Sequence, residues 1–394
     1  MDIKIRQGDN LWYLSQLLNV PLYLILASNP GVAPEALSPG DTIHVPGYRL
    51  VPYTIQPGDN LYSITTKRGL GLDTILLANP DIDPYNLQVS DVLSIPERLT
   101  GPLFLTNQPY DYDILTGHID KLLAAYPFIR KNIIGRSIEG KEIVEVVLGE
   151  GNKNIHWNGA FHANEWITTP VLMKFLNDYA LALTNNETIR GLTMAPFFQN
   201  VRLSVVPMVN PDGVDLVING ASASNNPEEV LRINGGSEDF SGWKANIRGV
   251  DLNNQYPANW EIEQARKPDT PAPRDFPGYA PLTEPEAIAL AEISPAMQSA
   301  LAFHTQGEVI FWGYEGLEPP ASEVMVEEFA RVSGYQPIRY VDSYAGYKDW
   351  FIQDFRRPGF TVELGRGVNP LPLSQFDEIY QRTLGILLAS LYMA

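Results

Sequence analysis

Apolar positions along the first hundred residues follow one programme, run twice. In its second run the alternating stretch Tyr53-Thr54-Ile55 reads as a short strand and meets the polar turn Gly58-Asp59-Asn60. An asparagine there can cap a helix. Leu61 and Ile64, then Leu72, Ile75 and Leu76, fall at helical spacing. Asn79-Pro80 ends that helix, because the residue before a proline is pushed out of the helical region. Val92 to Pro96 is apolar enough to close the unit as a strand. The pattern predicts a βααβ unit of roughly 50 residues, small but viable without disulfides.

The first run carries the same residues 50 positions earlier. Gly8-Asp9-Asn10-Leu11 matches Gly58-Asp59-Asn60-Leu61, Asn29-Pro30 matches Asn79-Pro80, and Leu37, Asp41 and Pro46 match Leu87, Asp91 and Pro96. This is a duplicated unit, with predicted bounds 1–48 and 52–98. The pattern resembles the LysM domain. That resemblance implies binding of N-acetylglucosamine-containing glycans such as peptidoglycan, between the first strand–helix turn and the second helix–strand loop. Here those segments offer Gly8, Asp9, Asn10 and Asn29 in one copy, and Gly58, Asp59, Asn60 and Asn79 in the other. The alternative is a structural spacer.

Residues 97–109 lack periodicity and read as a linker. From 109 to 394 the pattern changes. An amphipathic helix over Ile114–Tyr126 is followed by nearly continuous apolar runs at Ile143–Leu148, Val201–Met208, Ala300–His304 and Phe360–Leu364. Runs of that kind suit strands buried on both faces, and so an α/β domain with a mixed sheet and flanking helices.

Charge narrows the partners. The formal net charge is −18, split as −4 over residues 1–100 and −14 over the rest. Neither part is basic, so no nucleic-acid or anionic-membrane partner held by charge is expected. No run is long and apolar enough for a membrane span, and Met1 to Arg6 lacks the core of a secretory signal. The expectation is a cytoplasmic, mother-cell or spore-associated protein. Oligomeric state is not legible.

With no cysteine, a catalytic zinc would need His and carboxylate ligands, three from protein and one position open. There are five histidines. His162 and Glu165 follow the strand-like stretch Asn154–Phe161, and His304 ends the run Ala300–Phe303. Placing them at the carboxyl ends of strands matches where open α/β sheets bind ligands. Alone, H-x-x-E is a weak motif. Asp251 within Gly249-Val250-Asp251-Leu252-Asn253 and the lone Glu363 inside the apolar stretch Phe360–Leu364 strengthen it, because a carboxylate in an apolar strand is costly unless paired or functional.

In order and spacing these segments resemble the M14 zinc carboxypeptidase family across residues 110–394. The resemblance implies one Zn2+ held by His162, Glu165 and His304, with Glu363 as the catalytic glutamate and Asp251 orienting the first zinc histidine. The family's oxyanion-stabilising arginine lies in a W-R-x-N-like stretch. Here that stretch is Trp243-Lys244-Ala245-Asn246, so Lys244 takes the position, with Arg248 as the competing cation. The family's mobile tyrosine falls among Tyr340, Tyr344 and Tyr347, of which Tyr347 is preferred.

One departure redirects the reading. In the exopeptidases of the family, the asparagine matching Asn253 is followed by an arginine, and the two clamp a terminal carboxylate. Here Asn254 follows, which cannot make the charged fork. A bacterial branch with this substitution and LysM repeats cuts γ-D-glutamyl-L-diamino acid bonds (diaminopimelate or lysine) in peptidoglycan stem peptides, and is associated with sporulation. Similarity to that branch makes muropeptides the expected partner. Arg366 is a further candidate, for the α-carboxylate of D-glutamate. The alternatives are a carboxypeptidase acting on peptide C-termini and an inactive peptidase that binds glycan.

Overall fold

The computed structural model describes residues 1–394. Contacts group them into two units. One holds Met1–Phe104, Ile119–Arg130 and Asn177–Ala195; the other holds Leu105–His118, Lys131–Leu176 and Pro196–Ala394. No helix is long and apolar enough to cross a membrane.

In the first unit, β1 (Asp2–Lys4) pairs antiparallel with β2 (Thr42–His44), enclosing α1 (Leu11–Leu18) and α2 (Leu22–Ala27). The second repeat places β3 (Tyr48–Thr54) against β4 (Val92–Arg98), enclosing α3 (Leu61–Arg68) and α4 (Leu72–Ala78). Asn10 caps α1 by accepting from Tyr13 N, and Asn60 caps α3 through Ser63 N, each at 2.8 Å. Ile55, Leu61, Ile64, Ile75, Leu93 and Ile95 close the second repeat's core. The side chain of Asp73 at the start of α4 joins the repeats: Arg6 of the first donates to both its oxygens (2.6 and 2.8 Å), and the Tyr13 hydroxyl donates as well. β4 runs on to Arg98 through pairing with β3, two residues into the stretch read as a linker.

Further along the chain come β5 (Arg130–Arg136), β6 (Glu142–Leu148), β7 (Lys153–Gly159), the two-residue hairpin strands β8 (Thr188–Ile189) and β9 (Leu192–Thr193), and β10 (Val201–Val206). These are followed by β11 (Ser299–Thr305), β12 (Val309–Phe311), β13 (Gln336–Ile338) and β14 (Gly359–Leu364). Excluding the hairpin, they form one eight-stranded mixed sheet in the order β13-β12-β14-β11-β7-β10-β6-β5. The helices are α5 (Tyr112–Ala125), α6 (Thr168–Asn185), α7 (Ala195–Asn200), α8 (Pro211–Asn219), α9 (Pro227–Ile233), α10 (Trp260–Arg266), α11 (Pro285–Ile293), α12 (Pro320–Ser333), α13 (Tyr347–Phe355) and α14 (Phe376–Tyr392). Every residue of β11 is buried, as its continuous apolar run requires.

Strand order positions the site. β7 has parallel neighbours on both sides, β10 on one and β11 on the other, and β14 lies parallel beyond β11. The chain leaves β7 toward one side and returns later on the other. The crevice at the carboxyl end of such a switch point is where open α/β sheets take ligands.

Candidate metal centre

β7 ends at Gly159, and the chain turns at once to bring His162 and Glu165 over the sheet edge. Thr168 at the start of α6 holds the turn: Ala160 N–H donates to its Oγ1 (2.8 Å), and its hydroxyl donates to the Glu165 carbonyl (2.9 Å). A Cβ at Gly159 would come within 2.9 Å of that Oγ1, so the close approach needs glycine. His304 arrives from β11. His162 Nδ1 lies 2.8 Å from Glu165 Oε1, His304 Nδ1 lies 2.9 Å from Glu165 Oε2, and the two Nδ1 atoms are 3.3 Å apart.

All three side chains are buried, and a ligand atom from each lies within 4.8 Å of the others. Two imidazole nitrogens and one carboxylate form the donor set of a catalytic zinc site with three protein ligands. The other ring nitrogen of His162 meets Asp251 Oδ1 at 3.2 Å. A carboxylate there fixes the orientation of a metal-binding imidazole. The residues fit zinc.

The charges around the cluster are strongly coupled. Burial works against protonation of His162, but the Glu165 and Asp251 carboxylates outweigh it and lift the imidazole to about 9. His304 is shifted down by burial. Lys244 Nζ lies 3.5 Å from Glu165 Oε1. Burial opposes its charge, yet Glu165, Asp251 and Glu363 together raise it above the ordinary lysine value. Glu363 is pushed up to about 8 by desolvation and by the charge of Glu165, with Lys244 and His162 pulling the other way. Lys244 and Glu363 share a cavity of about 480 Å³ with Arg274, Thr305, Gln306 and Asn369.

Several expected site residues lie elsewhere. Arg248 turns away: its guanidinium is tied to Glu284 at 2.9 Å, on the wall of a different cavity. Arg366 is largely exposed and paired with Glu308 at 2.6 Å. Tyr347 opens α13 with its ring in the core, 1% exposed, its hydroxyl sharing a hydrogen bond with Ser294 Oγ (2.9 Å). Phe161, Tyr256 and Trp350 pack around it. A phenol so enclosed does not meet substrate, so the preference for Tyr347 is corrected. Tyr344 is half-buried against Tyr314, whereas Tyr340 is 53% exposed.

In the repeats, the polar residues singled out are committed to the fold. Asn29 bonds Ile25 O, His44 O and His44 N, and Asn79 bonds Ile75 O, Ser94 O and Ser94 N, all at 2.7–2.8 Å. Asp9 holds Arg6, and Asp59 accepts from Gln56 N and the Tyr53 hydroxyl. Gly8 and Gly58 take positive φ in the turn. Their neighbours Trp12 and Tyr62, at matching positions, are 62% and 77% exposed.

Asn253 and Asn254 are both near the cluster. Asn253 N–H donates to Asp251 Oδ1, the atom that holds His162 (3.1 Å). Two residues at the site had no sequence signal. Asn369 bridges Thr305 and Glu165, donating to Thr305 O (3.0 Å) and lying 3.5 Å from Glu165 Oε1. Lys267 reaches Asn254 Oδ1 at 2.9 Å. Neither sits at a diagnostic spacing from a motif.

The profile of the zinc carboxypeptidase family matches residues 115–385, and that of the LysM domain matches residues 3–46 and 53–96. The chain is 62% identical to gamma-D-glutamyl-L-diamino acid endopeptidase 1 of Lysinibacillus sphaericus over the full length of both. It is 47% identical to the uncharacterized protein YqgT of Bacillus subtilis (strain 168), over 72% of this chain and 77% of that one. Among solved structures, bovine thrombin-activatable fibrinolysis inhibitor superposes with a TM-score of 0.57 at 17% identity, over 73% of this chain and 97% of that one. That likeness concerns the fold.

Proposed function

The chain belongs to the zinc carboxypeptidase family, and from that premise we propose that it hydrolyses the bond between γ-linked D-glutamate and an L-diamino acid in peptidoglycan stem peptides. Residues 109–394 do the chemistry, while the repeats at 1–48 and 52–98 hold the glycan. The observation that carries this reading is identity along the whole length, repeats included, with an endopeptidase whose name states that bond. Asn254, standing where the exopeptidases carry an arginine, supports it.

His162, Glu165 and His304 would hold the metal, and Asp251 fixes the first of them. Zinc, when bound, supplies Lewis acidity that makes water a competent nucleophile near neutral pH and polarises the scissile carbonyl. Glu363 accepts the proton from the attacking water at its carboxylate and returns it to the leaving amine nitrogen. Lys244 sets a fixed positive charge beside the carbonyl oxygen as negative charge grows there. Of the three candidate tyrosines, Tyr340 is assigned to substrate contact, because its phenol is the exposed one. In the repeats, Trp12 and Tyr62 offer aromatic faces beside the Gly-Asp-Asn turns, and the backbone of those turns supplies the polar contacts.

Digestion of purified muropeptides with the zinc-loaded enzyme, followed by mass spectrometry, tests the assignment. Fragments that begin at the diamino acid are expected, together with its identity as diaminopimelate or lysine. On stem peptides extended beyond the diamino acid, products that have lost only the terminal residue, with the diamino acid still attached to D-glutamate, would instead make the enzyme a carboxypeptidase.

A further inference from the structure

One wall of the cavity beside the metal cluster carries two cations, and the chemistry above uses only one of them. Lys244 N–H and Ala245 N–H both donate to the Pro273 carbonyl, at 2.8 and 3.0 Å. Ala272 N–H donates to Gly249 O (3.0 Å), and Asp251 N–H donates to Phe276 O (2.7 Å). Residues 271–276 therefore run along 244–251, the segment that carries Lys244 and Asp251, and Arg274 is held beside Lys244. Both line the cavity of about 480 Å³ that Glu363 also faces. Arg274 is one of the charges acting on the Lys244 ammonium.

Arg274 is lightly engaged. Its Nε lies 3.1 Å from Asp275 Oδ2, and its side chain is 56% exposed. A pair so open to water is weak, and it leaves both terminal nitrogens of the guanidinium without a protein acceptor. Those nitrogens form a planar fork of N–H donors, which a carboxylate meets with two parallel hydrogen bonds. Arg248 and Arg366, by contrast, are tied to Glu284 and Glu308.

Charge balance asks for such a group. Lys244 and a bound Zn2+ together balance the carboxylates of Glu165, Asp251 and Glu363. A substrate that brings a further carboxylate into this cavity needs a further cation. γ-Linked D-glutamate is such a substrate: its α-carboxylate stays free. Three carbons separate that group from the carbonyl under attack, about 5 Å in an extended chain. Asn253 and Asn254, aligned with the exopeptidase clamp on the leaving-amine side, are not on the wall of this cavity, so it serves the acyl side of the bond.

We propose that Arg274 binds the free α-carboxylate of the γ-linked D-glutamate, with Lys244 beside it at the carbonyl oxygen, and that stem peptides amidated at that carboxylate are poor substrates. Arg274 is thus a specificity-determining residue for the acyl half of the substrate. It lies outside every motif read in the sequence, and backbone pairing alone brings it to the site. The inference rests on the bond assignment above.

The test compares L-alanyl-γ-D-glutamyl-L-diamino acid with the same peptide carrying an α-amide on the glutamate, on wild type, Arg274→Met and Arg274→Lys. Wild type should favour the free acid by about tenfold or more, as a charged hydrogen bond gives. Arg274→Met should bring that ratio close to one by raising KM for the acid, and Arg274→Lys should restore part of it. Zinc content and melting temperature of both variants should match wild type, because the only bond lost is to the half-exposed Asp275. An acid-to-amide ratio equal in wild type and Arg274→Met overturns the assignment. Calorimetric binding of the acyl-side product, L-alanyl-γ-D-glutamate, and of its α-amide to the same three proteins reads the preference without turnover; equal binding of the two by wild type, or none, also overturns it. If wild type cleaves neither peptide, the bond assignment fails, while the binding ratios still decide for or against Arg274.

Discussion

His304 and Glu363 are register partners on the adjacent parallel strands β11 and β14. Parallel neighbours in register present their side chains on one face, so a metal-binding imidazole and a carboxyl group leave the sheet side by side. Glu363 is not one of the three clustered ligands. It is therefore free to handle a proton, and its carboxyl, raised to about 8 in the metal-free chain, already holds protons tightly there.

Glu363→Gln keeps the shape and removes the proposed base. Zinc content by metal analysis should match wild type, while kcat on muropeptide falls by about 10²–10⁴-fold, the span of general acid–base contributions. Wild-type turnover in this variant would assign the base elsewhere.

Zinc affinity should rise with pH. Below about 9 the metal-free His162 carries a proton, which the metal must displace. Apparent affinity should therefore climb by about tenfold per pH unit up to that value, with at least one proton released. Chelator competition between pH 6 and 9 reads the slope; a flat profile contradicts the coupling.

Asp251→Asn should weaken zinc by about 10–100-fold, the usual effect of removing the carboxylate that orients a metal histidine. The side chain still fits, so the melting temperature of the metal-free protein should change little. A large loss of stability without a change in zinc affinity would make Asp251 a fold residue only.

Glu286 predicts a stability effect away from the metal. It is fully buried; Oε1 accepts from Ile138 N at 3.3 Å and Oε2 has no partner. Burial, reinforced by Glu284 and Asp212, pushes its carboxyl up to about 8. The folded state then binds this proton more tightly than the unfolded chain. Its stabilising contribution is full below the ordinary glutamate value of about 4.3 and is lost as pH rises through about 8. Glu286→Gln should gain on wild type by a few kcal/mol between pH 5 and 9, at about 1.4 kcal/mol per pKa unit. Urea unfolding at both pH values measures the change in the gap.

How much of this was legible in sequence follows from range. The duplicated βααβ units are local: an asparagine cap, helical spacing and an Asn-Pro stop all act within one repeat. The same holds for the sheet strands, whose continuous apolar runs reflect burial on both faces, and for His162 with Glu165, three residues apart. His304, Asp251 and Glu363 were found through the order of their segments, but register and the Asp251–His162 bond brought them together. Side-chain direction was decided by tertiary structure alone. Arg248 and Arg366 go to the buried carboxylates of Glu284 and Glu308, which need a charged partner. Tyr347 turns inward because its face of α13 completes an aromatic core. Lys267 and Asn369 reach the site across folds of the chain, and no spacing rule records such contacts. Sequence determined which chemistry the chain carries; packing decided which of its charges face the substrate, because charge direction depends on partners that only the fold supplies.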